Sequence, residues 1–537
     1  MNKQFLSAGL ALMLSLSAVA QDKNAIKFSA AINKDNAYKH LSVLASDEYE
    51  GRETGKKGAW MAADYIKKHF INVGLKGPVN GDYFQSIDMV AYNLSKMAFS
   101  LNGQSKEYGK DFVISSSTVA IGGFNFSTNE VVFAGYGLNQ DGYNDYAGID
   151  LTGKVILIFA EGNPAMETAS APETRAARMK RMLAQQAKIQ YMADHNALAV
   201  IQIDPALDNM TPEMRENYSG KGQPGLKTEA SIAKMKRMKS FPSVRISTVL
   251  ANEILKSAGT TVAVLQQKIK STAKPASQTI KVSVMGAAMK NEEKVRAENV
   301  LGFLEGSDPK LKDEVLVITG HYDHIGLTTS GTDKVNNGAD DDGSGTTGVL
   351  MLADAFTKAK KAGKGPKRSI LFMTVVGEEK GLLGSEWYSE HPVFPLEKTI
   401  TDLNIDMIGR VDAAHESDPN YIYIIGSDML SSELNATGIK ANEDYVQMNL
   451  DMKHNNRTDP EQYYYRSDHY NFAKHNIPVI FYFNGIHADY HQPGDEISKI
   501  NFDMLAKRAQ LVYFTAWELA NGAKRPAVDK NEDGTPK

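Results

Sequence analysis

The sequence predicts an α/β fold: a mixed, largely parallel central sheet flanked by helices, with a strand-rich segment inserted ahead of most of it. Three observations lead there. Beyond about Lys281, short apolar runs that read as buried strands alternate with helical patterns. Asp, Glu and His recur at or just past the ends of those runs, or at a helix start. Between about Leu101 and Lys281 the texture differs, with strand-like runs separated by Gly, Asn and Asp.

A chain of 537 residues is too long for one ordinary core, so two or three domains are expected. Hydrophobic content of 42% and charged content of 23% are those of a globular protein. A net charge of -4 argues against a nucleic-acid partner held through phosphates, which calls for a basic face. The absence of cysteine excludes disulfides, thiolate catalysis and Cys-ligated zinc. Any metal site is left to His, Asp and Glu.

The elements follow in order. Lys3, an apolar run over 5–17, and Ala18-Val19-Ala20 before Gln21 read as a cleaved signal peptide over 1–20. The run is too short to span a bilayer, and no cysteine follows the cleavage site for lipid attachment. The mature chain is therefore expected in the periplasm or outside the cell. Residues 21–108 form the N-terminal part of the main domain, with helical spacing at 37–44 and 60–73. The inserted segment, 109–285, holds VVFAGYG (131–137), KVILIFA (154–160) and LAVIQID (198–204) as strands. Its charged stretches at 173–197 and 234–239 read as solvated helix faces beside acidic neighbours.

Residues 286–523 complete the main domain. EVLVIT (314–319), SILFMTVV (369–376), TDLNIDMI (401–408) and IPVIFYF (477–483) are its strands. The clearest helices run over 345–362 and 501–519. The tail, 524–537, reads as disordered.

The polar clusters fall where chemistry belongs. His321 and Asp323 follow the first of those strands, and Glu378 and Glu379 the second. Asp406 ends the third, His491 lies in the loop beyond the fourth, and Asp341 just precedes a helix. In an open α/β sheet such groups gather outside the carboxyl ends of the strands. Two zinc ions bring four positive charges; Asp341, Glu379 and Asp406 bring three negative ones, and a bridging hydroxide closes the balance. A metal-dependent hydrolase is indicated. Asp341 suits the carboxylate bridge because Gly338, Gly343 and Gly345 let the backbone approach closely. The Asp323 carboxylate is expected to accept the second N–H of His321. Of Glu378 and Glu379, one can ligate while the other shuttles a proton. Singly, each cluster is weak: a lone Glu-Glu is usually a solvated helix start, and GADDDGSG alone suits a calcium-type loop. Five in order are not coincidence.

GHYDHIG (320–326), GADDDGSG (338–345), GEEKGLLGS (377–385), NIDMIG (404–409) and DYHQPGD (489–495) resemble the M28 family of co-catalytic zinc peptidases. The resemblance is strong over about 290–520 and weak over 35–95. It implies two zinc ions per chain, one held by His321, Asp341 and Asp406, the other by Glu379, His491 and the shared Asp341. It makes Glu378 the general base and Tyr490 the oxyanion donor, Tyr464 being the position other members use. It leaves His324, His469 and His487 to packing or to orienting the ligands. Asp340 and Asp342 would stabilise the loop, with Asp342 also in reach of a substrate amine. Ser467 has no triad around it. Residues 131–164, with HNALAVIQI (195–203) and FPSVRIS (241–247), resemble a protease-associated domain inserted into the peptidase to cap its crevice.

The resemblance thus implies an exported zinc exopeptidase acting on peptides through a two-zinc bridging hydroxide, first of all an aminopeptidase. A carboxypeptidase or dipeptidase is the alternative, with Arg410 or Arg466 near the motifs to grip a terminal carboxylate. Further off lie a single-zinc glutaminyl cyclase and a non-catalytic binding protein working through the inserted domain. Peptides are the expected partners, with neither nucleic acid nor membrane insertion.

Overall fold

The computed structural model describes residues 21–162, 175–211, 220–237, 241–531 and 533–537. Four strands, Ser369–Val375, Val315–His321, Thr399–Ile405 and Val479–Phe483, lie parallel and adjacent at the centre of an eight-stranded sheet. Each is buried along its whole length. That requires cover on both faces, which is why these segments read as unbroken apolar runs. Their side chains alternate between two cores: Leu316, Ile318, Ile370 and Phe372 face one, and Val315, Val317, Leu371 and Met373 the other. Glu298–Leu304 and Phe84–Ser86 extend one edge antiparallel. Tyr421–Ile425, also antiparallel, and Asn449–Asp451 extend the other.

Helices Lys34–Leu44, Lys57–Val73, Gly345–Lys361 and Phe502–Asn521 cover the first face, burying Leu41, Ile66, Phe70, Val349 and Leu505 in its core. The first begins where the Asn33 side chain accepts from the amides of Asp35 and Asn36. The second stops at Gly74, whose φ of 93° is left-handed.

The inserted body is a second sheet, of nine strands, with its own core around Phe133, Leu157, Ile201 and Val244. Met89–Leu101 and Gln278–Val295 pair antiparallel from Met89 opposite Val295 to Leu101 opposite Val284, carrying the chain in and out. The body therefore covers residues 89–295, wider than the 109–285 expected. At the end of the ribbon nearest the main domain, Asn291, Glu292, Glu293 and Lys294 are exposed, so no apolar run marks that length as strand.

The tail expected to be disordered is strapped to the surface instead. The Arg525 guanidinium donates to the carbonyls of Glu397 and Thr399 at 2.8 and 2.9 Å, and the Asp529 carboxylate accepts from the Ser432 amide at 2.9 Å. Charged, apolar-poor sequence forms such a strap where its donors and acceptors find partners, a match that local composition does not reveal. Among the described residues no helix is long and apolar enough to cross a membrane. The signal-peptide expectation falls on residues outside them.

Candidate metal centre

His321 is the last residue of its strand. Its amide donates to Asp342 Oδ2 at 3.0 Å, and Thr346 Oγ1 donates to its carbonyl at 2.7 Å. Ring Nδ1 lies 3.0 Å from the backbone carbonyl oxygen of Asp323, which fixes a tautomer that turns Nε2 toward the crevice. This corrects the expectation for Asp323. Its carboxylate is 3.8 Å from Nδ1 and accepts instead from Thr54 Oγ1, at 2.5 Å, and from the Glu378 amide, at 3.3 Å. Asp323 therefore orients His321 through its main chain and the Glu378 loop through its side chain.

Asp341 sits in a loop packed too closely for side chains. A Cβ on Gly338, whose φ is 55°, would lie 2.3 Å from the Asp341 carbonyl oxygen, and one on Gly345 2.1 Å from that of Ile405. Asp342 ties the loop down by accepting from the amides of His321, Gly345 and Met407. Asp340 accepts from Gly409 N and Asn484 Nδ2, and Asp495 from the amides of Asp340 and Asp341. The stabilising part of the expectation for Asp340 and Asp342 describes these contacts.

Around Asp341 the ligand candidates converge. His321 Nε2 lies 3.3 Å from Asp341 Oδ1, 3.6 Å from Asp406 Oδ1 and 4.0 Å from Glu378 Oε2. His491 Nε2 lies 3.1 Å from Asp341 Oδ2 and 3.2 Å from Glu379 Oε2. His324 stands closer than a packing role requires, with Nδ1 2.9 Å from Glu379 Oε1 and 3.8 Å from Asp341 Oδ2. Ser467 Oγ donates to Asp406 Oδ2 at 2.6 Å, so the hydroxyl with no triad serves to aim a carboxylate.

The donor set fits a divalent metal. His324 Nε2 is buried without a hydrogen-bond partner, and Asp341 Oδ2, Glu379 Oε1 and His324 Nδ1 are crowded together at 2.9–3.8 Å without a well-aligned hydrogen bond, a costly arrangement unless something satisfies them together. Ligand atoms of His324, Asp341 and Glu379 lie within 4.8 Å of one another, as do those of His321, Asp342 and Asp406. Because Asp342 is taken up by backbone amides, Asp341 is the carboxylate left to face His321. Imidazole nitrogen and carboxylate oxygen without thiolate suit zinc.

The charges respond to this crowding. Burial pushes the Glu378 carboxyl well above the usual range, against the pull of His321. Burial and Asp341 act the same way on Glu379, but the contacts with His324 and His491 outweigh them and hold it at about 2. Burial opposes charge on His491, yet Asp341 and Glu379 raise it to about 10. His321 is likewise raised despite burial, by Glu378 and Asp406. At neutral pH the His491 imidazole keeps a proton that a metal must displace. Zinc binding at pH 7 is therefore expected to release protons, read calorimetrically as a heat that changes with the buffer's ionisation enthalpy. A buffer-independent heat would contradict this.

Tyr490 and Tyr464 separate clearly. Tyr490 stacks on His491, ring centroids 3.9 Å apart, and lines the same pocket as Glu378, Asp341 and Asp406. Tyr464 is buried in the apolar core with Phe481 and Phe483. His469 stacks on Phe481 and is driven down to about 3 by burial, a neutral packing histidine. His487 Nε2 lies 3.3 Å from Asp340 Oδ2, off the ligand cluster.

Sequence reasoning missed Arg52. It is 1% exposed and donates to four carbonyl oxygens, those of Tyr322, Leu44, Asn337 and Gly338, at 2.6–2.8 Å. It joins the loop after His321 to the loop before Asp341.

The model of peptidase family M28 matches residues 299–516. The chain is 28% identical over 284 residues to a probable zinc metalloprotease of Pyrenophora tritici-repentis, covering 46% of this chain and 56% of that one. It is 28% identical over 251 residues to a probable leucine aminopeptidase 2 of Aspergillus oryzae, covering 42% and 45%. The chain spans about half the length of the curated relatives it matches. Its fold is similar to that of a zinc aminopeptidase from Bacillus subtilis, with a TM-score of 0.51 at 18% identity over 94% of this chain and 99% of that one.

Proposed function

We propose, on the match of residues 299–516 to the model of peptidase family M28, that this chain is a zinc-dependent aminopeptidase that removes N-terminal residues from peptides. The observation that carries the reading is the placement of Asp341. Its Oδ1 lies 3.3 Å from His321 Nε2 and its Oδ2 3.1 Å from His491 Nε2, so one carboxylate offers an oxygen to each of two ligand groups. His321, Asp341 and Asp406 would hold one zinc, and Asp341, Glu379 and His491 the other, with His324 beside them.

Zinc bound by these residues would supply Lewis acidity toward the scissile carbonyl and the attacking water. Glu378 takes the water proton and delivers it to the leaving amine nitrogen. Burial raises the Glu378 carboxyl, and the cationic charge that the site would hold beside it lowers it again, leaving the carboxylate free to take that proton. The Thr54–Asp323–Glu378 amide contacts hold its loop in place. Tyr490 donates its phenolic hydrogen to the developing oxyanion. Burial, with Asp341 and Glu379, keeps that phenol protonated across the working range. Tyr490→Phe is expected to lower kcat by about 10²-fold while KM stays within a few-fold, the cost of one oxyanion donor. An unchanged kcat would remove Tyr490 from the mechanism.

Met407, Phe481, Phe483 and Ile486 form an apolar wall beside Glu378 and Asp406, suited to an apolar side chain on the first residue of the substrate. We read residues 1–20 as an export signal and the body over 89–295 as a protease-associated insertion beside the crevice. Consistent with that role, its Leu226 packs against the main core and Met89 Cε approaches the Gly377 turn that precedes Glu378.

One observation favours a second reading. Arg466 lines the same pocket, whereas Arg410 is tied to Asp489 at 2.8 Å and Asp495 at 3.5 Å. A guanidinium there suits a carboxypeptidase or dipeptidase that grips a substrate carboxylate. Peptides with free or acetylated N-termini, incubated with the purified chain with and without chelator, separate the two by mass spectrometry. The aminopeptidase reading predicts stepwise N-terminal shortening of the free peptides alone, abolished by chelator. Shortening from the C-terminus, or equal cleavage of acetylated peptides, would overturn it.

A further inference from the structure

His40, His69 and Asp354 come from three separate helices, Lys34–Leu44, Lys57–Val73 and Gly345–Lys361. One ligand atom from each lies within 4.8 Å of the others. The edge between His69 Nε2 and Asp354 Oδ1 is 3.2 Å, close to the ~3.3 Å expected between two ligands of a tetrahedral ion with bonds of about 2.0 Å. Asp354 stands about 14 Å along the helix axis from Gly345, which closes the Asp341 loop, so the cluster is separate from the centre described above.

The surrounding contacts orient the donors. Tyr65 Oη lies 2.8 Å from His40 Nδ1, and Asn36 Nδ2 donates to Asp354 Oδ2 at 2.8 Å, leaving His40 Nε2 and Asp354 Oδ1 to the interior of the cluster. The His40 and His69 rings meet edge to face, centroids 4.6 Å apart. His40 is 0% exposed and its Nε2 is buried without a hydrogen-bond partner, whereas His69 Nε2 faces Asp354 Oδ1 at 3.2 Å. An unpartnered imidazole nitrogen costs free energy unless another group satisfies it. Asp354 also lines a surface depression with Asn33, Asn36 and Lys39.

We propose that His40, His69 and Asp354 bind a divalent transition metal, zinc by the chemistry of two imidazoles and a carboxylate, which clamps three of the four helices covering that face of the sheet. The fourth position is open to water. The site lies apart from the reacting groups and does not depend on the aminopeptidase reading.

The test uses the full chain carrying Asp341→Asn, which removes the shared carboxylate of the other centre, titrated with zinc alone and with cobalt alone. At least one equivalent of zinc should bind, with visible cobalt absorption. Adding Asp354→Asn should remove one equivalent relative to that parent, or weaken it more than tenfold, with unchanged circular dichroism. Adding His69→Gln instead should do the same, and keeps the test open should Asp354→Asn fail to fold. No zinc uptake by the Asp341→Asn chain would overturn the proposal. So would an unchanged zinc count in a folded Asp354→Asn or His69→Gln double variant.

Discussion

Replacing Glu378 by Gln is expected to lower kcat for peptide hydrolysis by about 10³-fold, some 4 kcal/mol of transition-state stabilisation, while zinc content stays at the wild-type level. The substitution keeps the shape of the side chain and its place in the pocket, but an amide cannot accept the proton of the attacking water. Glu379, its neighbour, faces His491 at 3.2 Å and is committed to the ligand cluster, so it cannot stand in. The measurement pairs steady-state kinetics with metal analysis on the same preparation. A variant that hydrolyses peptides at the wild-type rate would show that the proton moves by another route. One that loses zinc as well would make Glu378 a ligand rather than a base.

The second large effect is on stability. Arg52→Ala is expected to cost about 3–5 kcal/mol, measured by chemical denaturation of the whole chain. Four buried carbonyl oxygens lose their donor at once, and the carboxylates of Asp323, Asp341, Asp342 and Asp495 lose a nearby positive charge. Arg52→Lys should recover only part of this, because an ammonium cannot reproduce the planar fork that reaches both loops. Zinc affinity should fall with stability, since the Asn337 and Gly338 carbonyls that Arg52 holds lie just before Asp341. A loss below about 1 kcal/mol for Arg52→Ala would mean that the loops hold their shape without it.

What was legible in the sequence follows from range. The strands Val315–His321 and Ser369–Val375 were readable because a strand buried on both faces is apolar at every position, a purely local pattern. The ligand candidates were readable because they lie at strand ends, and parallel strands bring all such ends to one edge. The role of Asp323 was not. Two residues past His321, either its carboxylate or its carbonyl can reach the ring, and only the fold of the turn decides. Arg52 was illegible for a different reason: its partners Tyr322, Asn337 and Gly338 are distant in sequence, and a lone Arg in a polar stretch carries no local mark. The same distance hides the grouping of His40 and His69 with Asp354. His324 was set aside because motif resemblance assigns roles by position, whereas its 2.9 Å approach to Glu379 is a property of the packed loop. The extent of the inserted body was understated because the ribbon that carries it is polar along part of its length.

In the proposed reading Asp341 would bridge two metal ions, one beside His321 and Asp406 and one beside Glu379 and His491. Anomalous diffraction at the zinc edge from crystals of the zinc-loaded chain tests it most directly. Two peaks about 3.5–4 Å apart are expected, one on each side of the Asp341 carboxylate. A single peak at full zinc loading and full activity, with Glu379 and His491 contacting no metal, would contradict it.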